Sequence, residues 1–313
     1  MIRFNGICKN FGATRALDNF SLEIGRGLVY GLIGPNGAGK TTAMSILATL
    51  LLPDAGTATV DGLDVVEEAE KVRGIIGYMP DFFGVYDGLR ATEYLEFFAA
   101  AHHIPAHRRP GLAKTLLELV NLPDKADVYV DSLSRGMKQR LALARCLVHD
   151  PKVLILDEPA SGLDPRARAE MKEIIRHLKH LGKTVLISSH ILPELAEICD
   201  AVAIMEAGRL AVAGTVAEIT AVSRGARQMR VAVLDRAGEL AGFLATRPGV
   251  SETLVDGQEV RFLFDGNQAE QAALLQAMVS GGWPVVEFAE IRRNLEEAFM
   301  AVTAEGVEDH GGN

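Results

Sequence analysis

The chain has 313 residues, 48% of them hydrophobic and 23% charged, with a net charge of −9 and a pI near 5.4. This composition supports an ordered core and a length of about two domains, and it excludes a surface dominated by the basic face of a nucleic-acid binder. Three cysteines, Cys8, Cys146 and Cys199, never form a CxxC pair, which excludes a disulfide framework and a cysteine zinc site and suits a reducing cytosol.

The opening residues, Met1-Ile2-Arg3-Phe4-Asn5, lack the apolar run of a secretory leader. No stretch approaches the ~20 apolar residues of a membrane span; the longest candidate, residues 46–52, stops at Pro53-Asp54. Work at a membrane would need another chain to span it.

In chain order, residues 28–33 form a short apolar run leading into glycine-rich sequence, which predicts a buried strand. Met44, Leu47 and Leu51 then recur at helical spacing. Residues 82–148 read as largely helical, with Leu116, Leu119 and Val120 on one apolar face and Met137, Leu141, Ala144 and Val148 on another. That insert is predicted to be a helical subdomain. Residues 153–156 and 184–187 are two more buried strands. Strands alternating with helices predict an α/β domain over residues 1–221, built on a mostly parallel sheet covered on both faces.

The character changes after residue 222. Residues 229–234, 259–264 and 284–288 read as strands, and 239–246 and 268–279 as helices, which predicts a small α+β module over 222–303. The polar, glycine-rich residues 304–313 are expected to be a disordered tail. No internal repeat indicates a solenoid.

Gly34-Pro35-Asn36-Gly37-Ala38-Gly39-Lys40-Thr41 matches GxxxxGK[ST] between a predicted strand and a predicted helix, the context that gives this motif its meaning. Its glycines let the backbone curl so that N–H groups point inward at phosphates, and the helix N-terminus adds its positive dipole end. Lys40 is expected to reach the β- and γ-phosphates and the Thr41 hydroxyl to ligate Mg²⁺; Thr42 follows directly. The bland alternative is an ordinary glycine-rich turn. Downstream, the strand at 153–156 runs straight into Asp157-Glu158. Asp157 is the candidate Mg²⁺ ligand at the strand's carboxyl end, and Glu158 the candidate acceptor of a proton from an attacking water. The alternative for this pair is a solvated turn.

Leu133-Ser134-Arg135-Gly136-Met137-Lys138-Gln139-Arg140-Leu141 resembles the LSGGQ signature of ATP-binding cassette ATPases. Together with the phosphate loop, Asp157-Glu158, Ser161-Gly162-Leu163-Asp164 and Ser188-Ser189-His190, it resembles a complete cassette over residues 2–220. The rest of the chain resembles, less specifically, the C-terminal module in ATPases of bacterial drug- or lipid-export systems whose permease is a separate polypeptide. The resemblance implies a P-loop NTPase fold of the ABC type, with ATP and Mg²⁺ as cofactors. It implies Phe11 stacking on adenine, and Ser134 and Gly136 touching the γ-phosphate of ATP held by the opposite subunit. It also implies Asp164 at the dimer seam, and His190 contacting the γ-phosphate and orienting the water. Phe11 has the alternative of a plain core phenylalanine.

Three positions depart from the usual pattern. Arg135 stands in place of Gly, Met137 in place of Gln, and Asp81 in place of a Gln that touches Mg²⁺ and water. Six aromatics fall between residues 82 and 98: Phe82, Phe83, Tyr86, Tyr94, Phe97 and Phe98. By resemblance this region receives the permease. Phe82, Phe83 and Tyr86 are the expected docking residues, and Phe97 and Phe98 are expected to be mostly core.

The expected function is the ATP-hydrolysing subunit of an exporter. It would act as a homodimer, or as a heterodimer with a related ATPase, on separate transmembrane permease chains at the cytoplasmic face of the cell membrane, with no nucleic-acid partner. The alternative is a soluble ATPase of the same type acting in DNA repair or translation. A GTPase would need an Asn-Lys-x-Asp element, which is absent from the sequence.

Overall fold

The computed structural model describes residues 1–82, 84, 88–189, 191–222 and 227–291, apart from the side chains of 220–222. Phe83, Tyr86, His190 and the tail at 304–313 therefore lie outside the described residues. The chain opens with β1 (Ile2–Phe11) and β2 (Thr14–Ile24), then β3 (Val29–Ile33) and α1 (Lys40–Leu47) on either side of the glycine-rich loop. Next come β4 (Ala55–Val60), β5 (Leu63–Asp64), α2 (Ala69–Ile75) and β6 (Ile76–Met79). The helical insert follows as α3 (Ala91–Ala101), α4 (Arg109–Leu119) and α5 (Arg135–Cys146). After it run β7 (Val153–Leu156), α6 (Pro165–His180), β8 (Thr184–Ser189), α7 (Leu192–Ile198), β9 (Ala201–Glu206) and β10 (Arg209–Thr215). The last elements are α8 (Val216–Val222), β11 (Arg227–Val233), α9 (Ala237–Ala245), β12 (Val250–Asp256), β13 (Glu259–Phe264), α10 (Gln268–Ser280) and β14 (Val285–Glu290). Contacts divide the chain into two compact units between Ala217 and Glu218.

In the first unit, a six-stranded sheet has the order β10-β9-β3-β8-β7-β6. Its pairings are parallel except at the β10 edge, which is antiparallel to β9. β3, β7 and β8 are buried along their whole length, which is why they read as continuous apolar runs rather than alternating ones. A second, antiparallel sheet, β2-β1-β4-β5, was not foreseen. Its strands are irregular: β1 changes register against β2 three times, and Gly6 takes a φ of +60°. Such breaks scramble the period-2 signal that marks a strand in sequence.

The core of this unit gathers Ile2, Phe4, Leu17 and Phe20 from the antiparallel sheet with Met44 and Leu47 of α1 and Leu32 and Leu186 of the parallel one. The rings of Phe4 and Phe20 meet edge to face at 5.2 Å, the arrangement their quadrupoles favour.

The second unit runs β-α-β-β-α-β, and its antiparallel sheet has the order β12-β13-β11-β14. This is the ferredoxin-like arrangement. Met229, Val231 and Val233 of β11 and Val260, Phe262 and Phe264 of β13 pack with Leu240 and Leu244 of α9 and Leu274 and Met278 of α10. On the strand positions between them, Arg230 pairs with Glu259 at 3.2 Å and with Glu287. β12 escaped the sequence reading because it is an edge strand with most of its residues exposed.

Candidate functional site

The strand register brings three loops to one end of the parallel sheet. Ile33 pairs with Ser189, and Met79 with Leu156. Gly34, Pro80-Asp81 and Asp157-Glu158 thus leave the carboxyl ends of neighbouring strands, where open α/β sheets bind ligands.

The phosphate loop is glycine-dependent at defined points. Gly37 and Gly39 take φ values of +85° and +99°, the left-handed region that glycine enters freely. A Cβ on Gly34 would lie 2.5 Å from the Met205 carbonyl oxygen, and one on Gly39 would lie 2.5 Å from that of Ala16. Lys40 turns back over the loop, its Nζ donating to the carbonyls of Gly34 at 2.7 Å and Pro35 at 3.1 Å. Burial lowers its pKa, while the charges of Glu158 and Asp157 act the other way. Ala38 is buried, Pro35, Asn36 and Gly37 are exposed, and Thr41 is exposed on the first turn of α1, with Thr42 half-buried beside it.

Asp157 is 1% exposed. Its backbone N–H donates to the Met79 carbonyl at 2.8 Å, and its Oδ1 accepts from the Ser188 hydroxyl at 2.6 Å. Its Oδ2 is buried with no hydrogen-bond partner. A buried carboxylate oxygen without a partner is costly, and a cation removes that cost. The other candidate oxygen donors, the Thr41 hydroxyl and the Asp81 carboxylate, are hard ligands of the kind Mg²⁺ takes. No cluster of three or more acidic, histidine or cysteine side chains forms a metal cage among the described residues. The residues present fit the ion.

Glu158 adopts a φ of +49°, unusual for a residue with a side chain. Its N–H donates to the Ser188 Oγ at 2.9 Å. In the sequence Ser188 stands only as part of Ser188-Ser189-His190, with no role of its own legible there. The available signal was a hydroxyl following the apolar Val185-Leu186-Ile187.

Ser134 caps α5, its Oγ accepting from the Met137 N–H at 3.3 Å. Gly136 is buried, and a Cβ there would lie 2.8 Å from the Ala167 Cβ. Asp164 caps α6 by accepting from the N–H groups of Arg166 and Ala167, both at 3.0 Å. Those backbone bonds hold its carboxyl below the usual range. The signal for this capping role is present in the sequence, where Asp164 before Pro165 marks a helix start. Among the described residues, none of the hydrogen bonds of Ser134 or Asp164 reaches the Lys40 loop.

Phe11 is 52% exposed at the end of β1, so it is not a core phenylalanine; the Lys9 ammonium lies 5.8 Å from its ring centre. Asp81 is exposed, and Phe82 beside it is 89% exposed. The expectation that Phe97 is mostly core is corrected: it is 49% exposed, and Tyr94, 1% exposed, is the aromatic anchor of α3. One turn of helix separates them, so the inward stripe passes through Tyr94 and leaves Phe97 beside it. Among the described residues no helix is long and apolar enough to cross a membrane.

Residues 17–161 match the family model described as ABC transporter. The chain is 37% identical over 305 residues to the daunorubicin resistance ATP-binding protein DrrA3 of Streptomyces coeruleorubidus, covering 97% of this chain and 96% of that protein. It is 35% identical over 311 residues to the Nod factor export ATP-binding protein I of Burkholderia orbicola, covering 98% of each. Among solved structures, the ATP-binding subunit of an ABC transporter aligns with a TM-score of 0.63 at 28% identity, over 70% of this chain and 91% of that one. A dimeric bacterial ABC transporter cassette aligns at 0.64 and 25%, over 69% and 98%. A phosphate loop, an acid pair at the same end of the sheet and near full-length relatives lead to one conclusion: the chain belongs to the ABC transporter family as an ATP-hydrolysing subunit.

Proposed function

We propose that this chain is the motor of an exporter, hydrolysing ATP in a closed pair of ATPase subunits and driving separate permease chains at the inner face of the membrane. The observation that carries this reading is the glycine-dependent loop closed by the buried Lys40 at the same sheet end as Asp157 and Glu158, in a chain alike almost end to end to a drug-resistance and a Nod factor export ATP-binding protein. That likeness disfavours the DNA-repair or translation alternative.

The loop N–H groups from Gly34 to Lys40 and the N-terminus of α1 cradle the phosphates, and the Lys40 ammonium binds the β- and γ-oxygens. Thr41, Asp157 and Asp81 would hold Mg²⁺, which when bound supplies positive charge to the phosphate oxygens. Glu158 takes the proton of the attacking water, and His190 orients that water. Phe11, exposed at a strand end, stacks on adenine. Ser134 and Gly136 at the start of α5 face the γ-phosphate bound by the opposite subunit, and Asp164 lies at the seam. Two copies give two competent sites; a pair with a related ATPase is the variant of the same scheme. Phe82, with Phe83 and Tyr86, forms the permease-docking surface.

Glu158→Gln tests this reading. The amide keeps the shape and loses the base, so hydrolysis should slow by about 10²–10⁴-fold while ATP binding persists and an ATP-bound pair accumulates in size exclusion. A Glu158→Gln protein that turns over like the parent would remove Glu158 from the role.

A further inference from the structure

The ladder between β7 and β8 ends at Leu156 and Ile187. β8 runs on to Ser189, with Ser188 still paired to Leu32 of β3. At that point β7 leaves the sheet as Asp157-Glu158, and the partner of the Glu158 amide becomes a side chain. The Ser188 hydroxyl, 0% exposed, uses both of its capacities: it donates to Asp157 Oδ1 at 2.6 Å and accepts from the Glu158 N–H at 2.9 Å.

We propose that Ser188 is the positioning residue of the ATPase site, setting the carboxylate of Asp157 for the metal and the backbone of Glu158 for the base with one hydroxyl. The inference rests on the roles proposed above for those two acids. Engaging Oδ1 fixes the plane of the Asp157 carboxylate and leaves Oδ2, buried and otherwise without a partner, as its cation-facing oxygen. Satisfying the Glu158 amide supports a left-handed conformation that a glutamate adopts only when its surroundings impose it. The Ser188 backbone meanwhile belongs to the ladder with β3, the strand that feeds the phosphate loop. One residue therefore ties the phosphate-binding strand to both acids.

The test uses full-length Ser188→Ala, Ser188→Cys and Ser188→Thr. Mn²⁺ binding is read by electron paramagnetic resonance with a non-hydrolysable ATP analogue bound, alongside steady-state ATPase kinetics and melting temperature. Partners that orient metal ligands are worth about 10–100-fold in metal affinity or activity. Ser188→Ala should lose Mn²⁺ affinity by about that factor, with kcat falling more than the KM for ATP rises. Ser188→Cys, which keeps the volume but hydrogen-bonds weakly, should fall between Ala and parent, and Ser188→Thr should restore both readouts. Unchanged Mn²⁺ binding in Ser188→Ala would overturn the inference, as would a Thr variant as impaired as Ala, which would assign the effect to packing. Asp157→Asn separates the levels. If it loses Mn²⁺ while Ser188→Ala does not, only Ser188 is removed; if it binds Mn²⁺ like the parent, the metal-site reading falls too.

Discussion

The imidazole rings of His102 and His149 lie face to face, their centroids 4.0 Å apart and their planes within 4° of parallel. The His149 Nε2 is 2.7 Å from the Ile76 carbonyl, so that nitrogen carries the proton, and Nδ1 is buried without a partner. Burial, then the neighbouring histidines, lowers both pKa values, with the Ile76 carbonyl working against the shift at His149. The folded state thus takes up protons less readily than the unfolded chain, whose histidines titrate near 6.5. Their contribution to stability is complete above about pH 6.5 and is lost as pH falls below it. Melting temperature should drop more steeply between about pH 6.5 and 5.5 in the parent than in His149→Gln. Parallel pH profiles would show that the stack does not respond to protons.

Asp81 follows β6 where Met79 pairs with Leu156, next to the proposed Mg²⁺ ligand Asp157, and accepts no side-chain hydrogen bond among the described residues. A carboxylate gives Mg²⁺ a charged ligand, whereas an amide gives it a neutral oxygen. Asp81→Asn should shift half-activation of the ATPase to higher Mg²⁺ and leave metal-free nucleotide affinity equal or better, since a charge facing the γ-phosphate is gone. Superimposed Mg²⁺ titrations of the two proteins would mean that the carboxylate never meets the metal.

Gly136 packs where α5 approaches α6, and a methyl group there would come within 2.8 Å of the Ala167 Cβ. Gly136→Ala should destabilise the fold by about 1–3 kcal/mol through overpacking and displace the cap at Ser134. ATPase activity should fall without loss of nucleotide binding to the isolated subunit, because the phosphate loop is untouched. Thermal melts and a fluorescent-nucleotide titration read the two effects apart. Ala167→Gly in the same chain should recover part of the activity by returning the space.

The ferredoxin-like unit has its own core and contributes none of the candidate ATP-site residues. A chain truncated after Ala217 should bind ATP with affinity near that of the full protein; its effect should appear in dimer formation or coupled transport, which fits a regulatory or stabilising module. A folded truncation that fails to bind ATP would move the functional boundary downstream.

Legibility followed burial and local motif. β3, β7 and β8 were readable because strands covered on both faces are written as unbroken apolar runs, and the phosphate loop because glycine, lysine and threonine meet a local geometric demand. The antiparallel sheet was hidden: β1 and β2 carry register shifts, and Gly6 breaks their alternation. Ser188 was hidden for a different reason. Its importance lies in touching Asp157 and Glu158 across 31 and 30 positions of sequence, and no local pattern encodes such a contact. Phe97 misled because a run of aromatics at 94, 97 and 98 does not reveal which of them the helix turns inward.

The left-handed backbone at Glu158 has a genetic consequence. One nucleotide change converts a glutamate codon to glycine, and glycine occupies a φ of +49° without the roughly 1–2 kcal/mol that the conformation costs other residues. Such an allele would lose the proposed base yet gain backbone ease, so cellular quality control has little reason to remove its product. The inactive subunit should accumulate to normal abundance and enter mixed pairs with wild-type copies. Losses at this position should therefore act as dominant negatives, whereas core lesions such as Leu186→Asp should behave as recessive nulls.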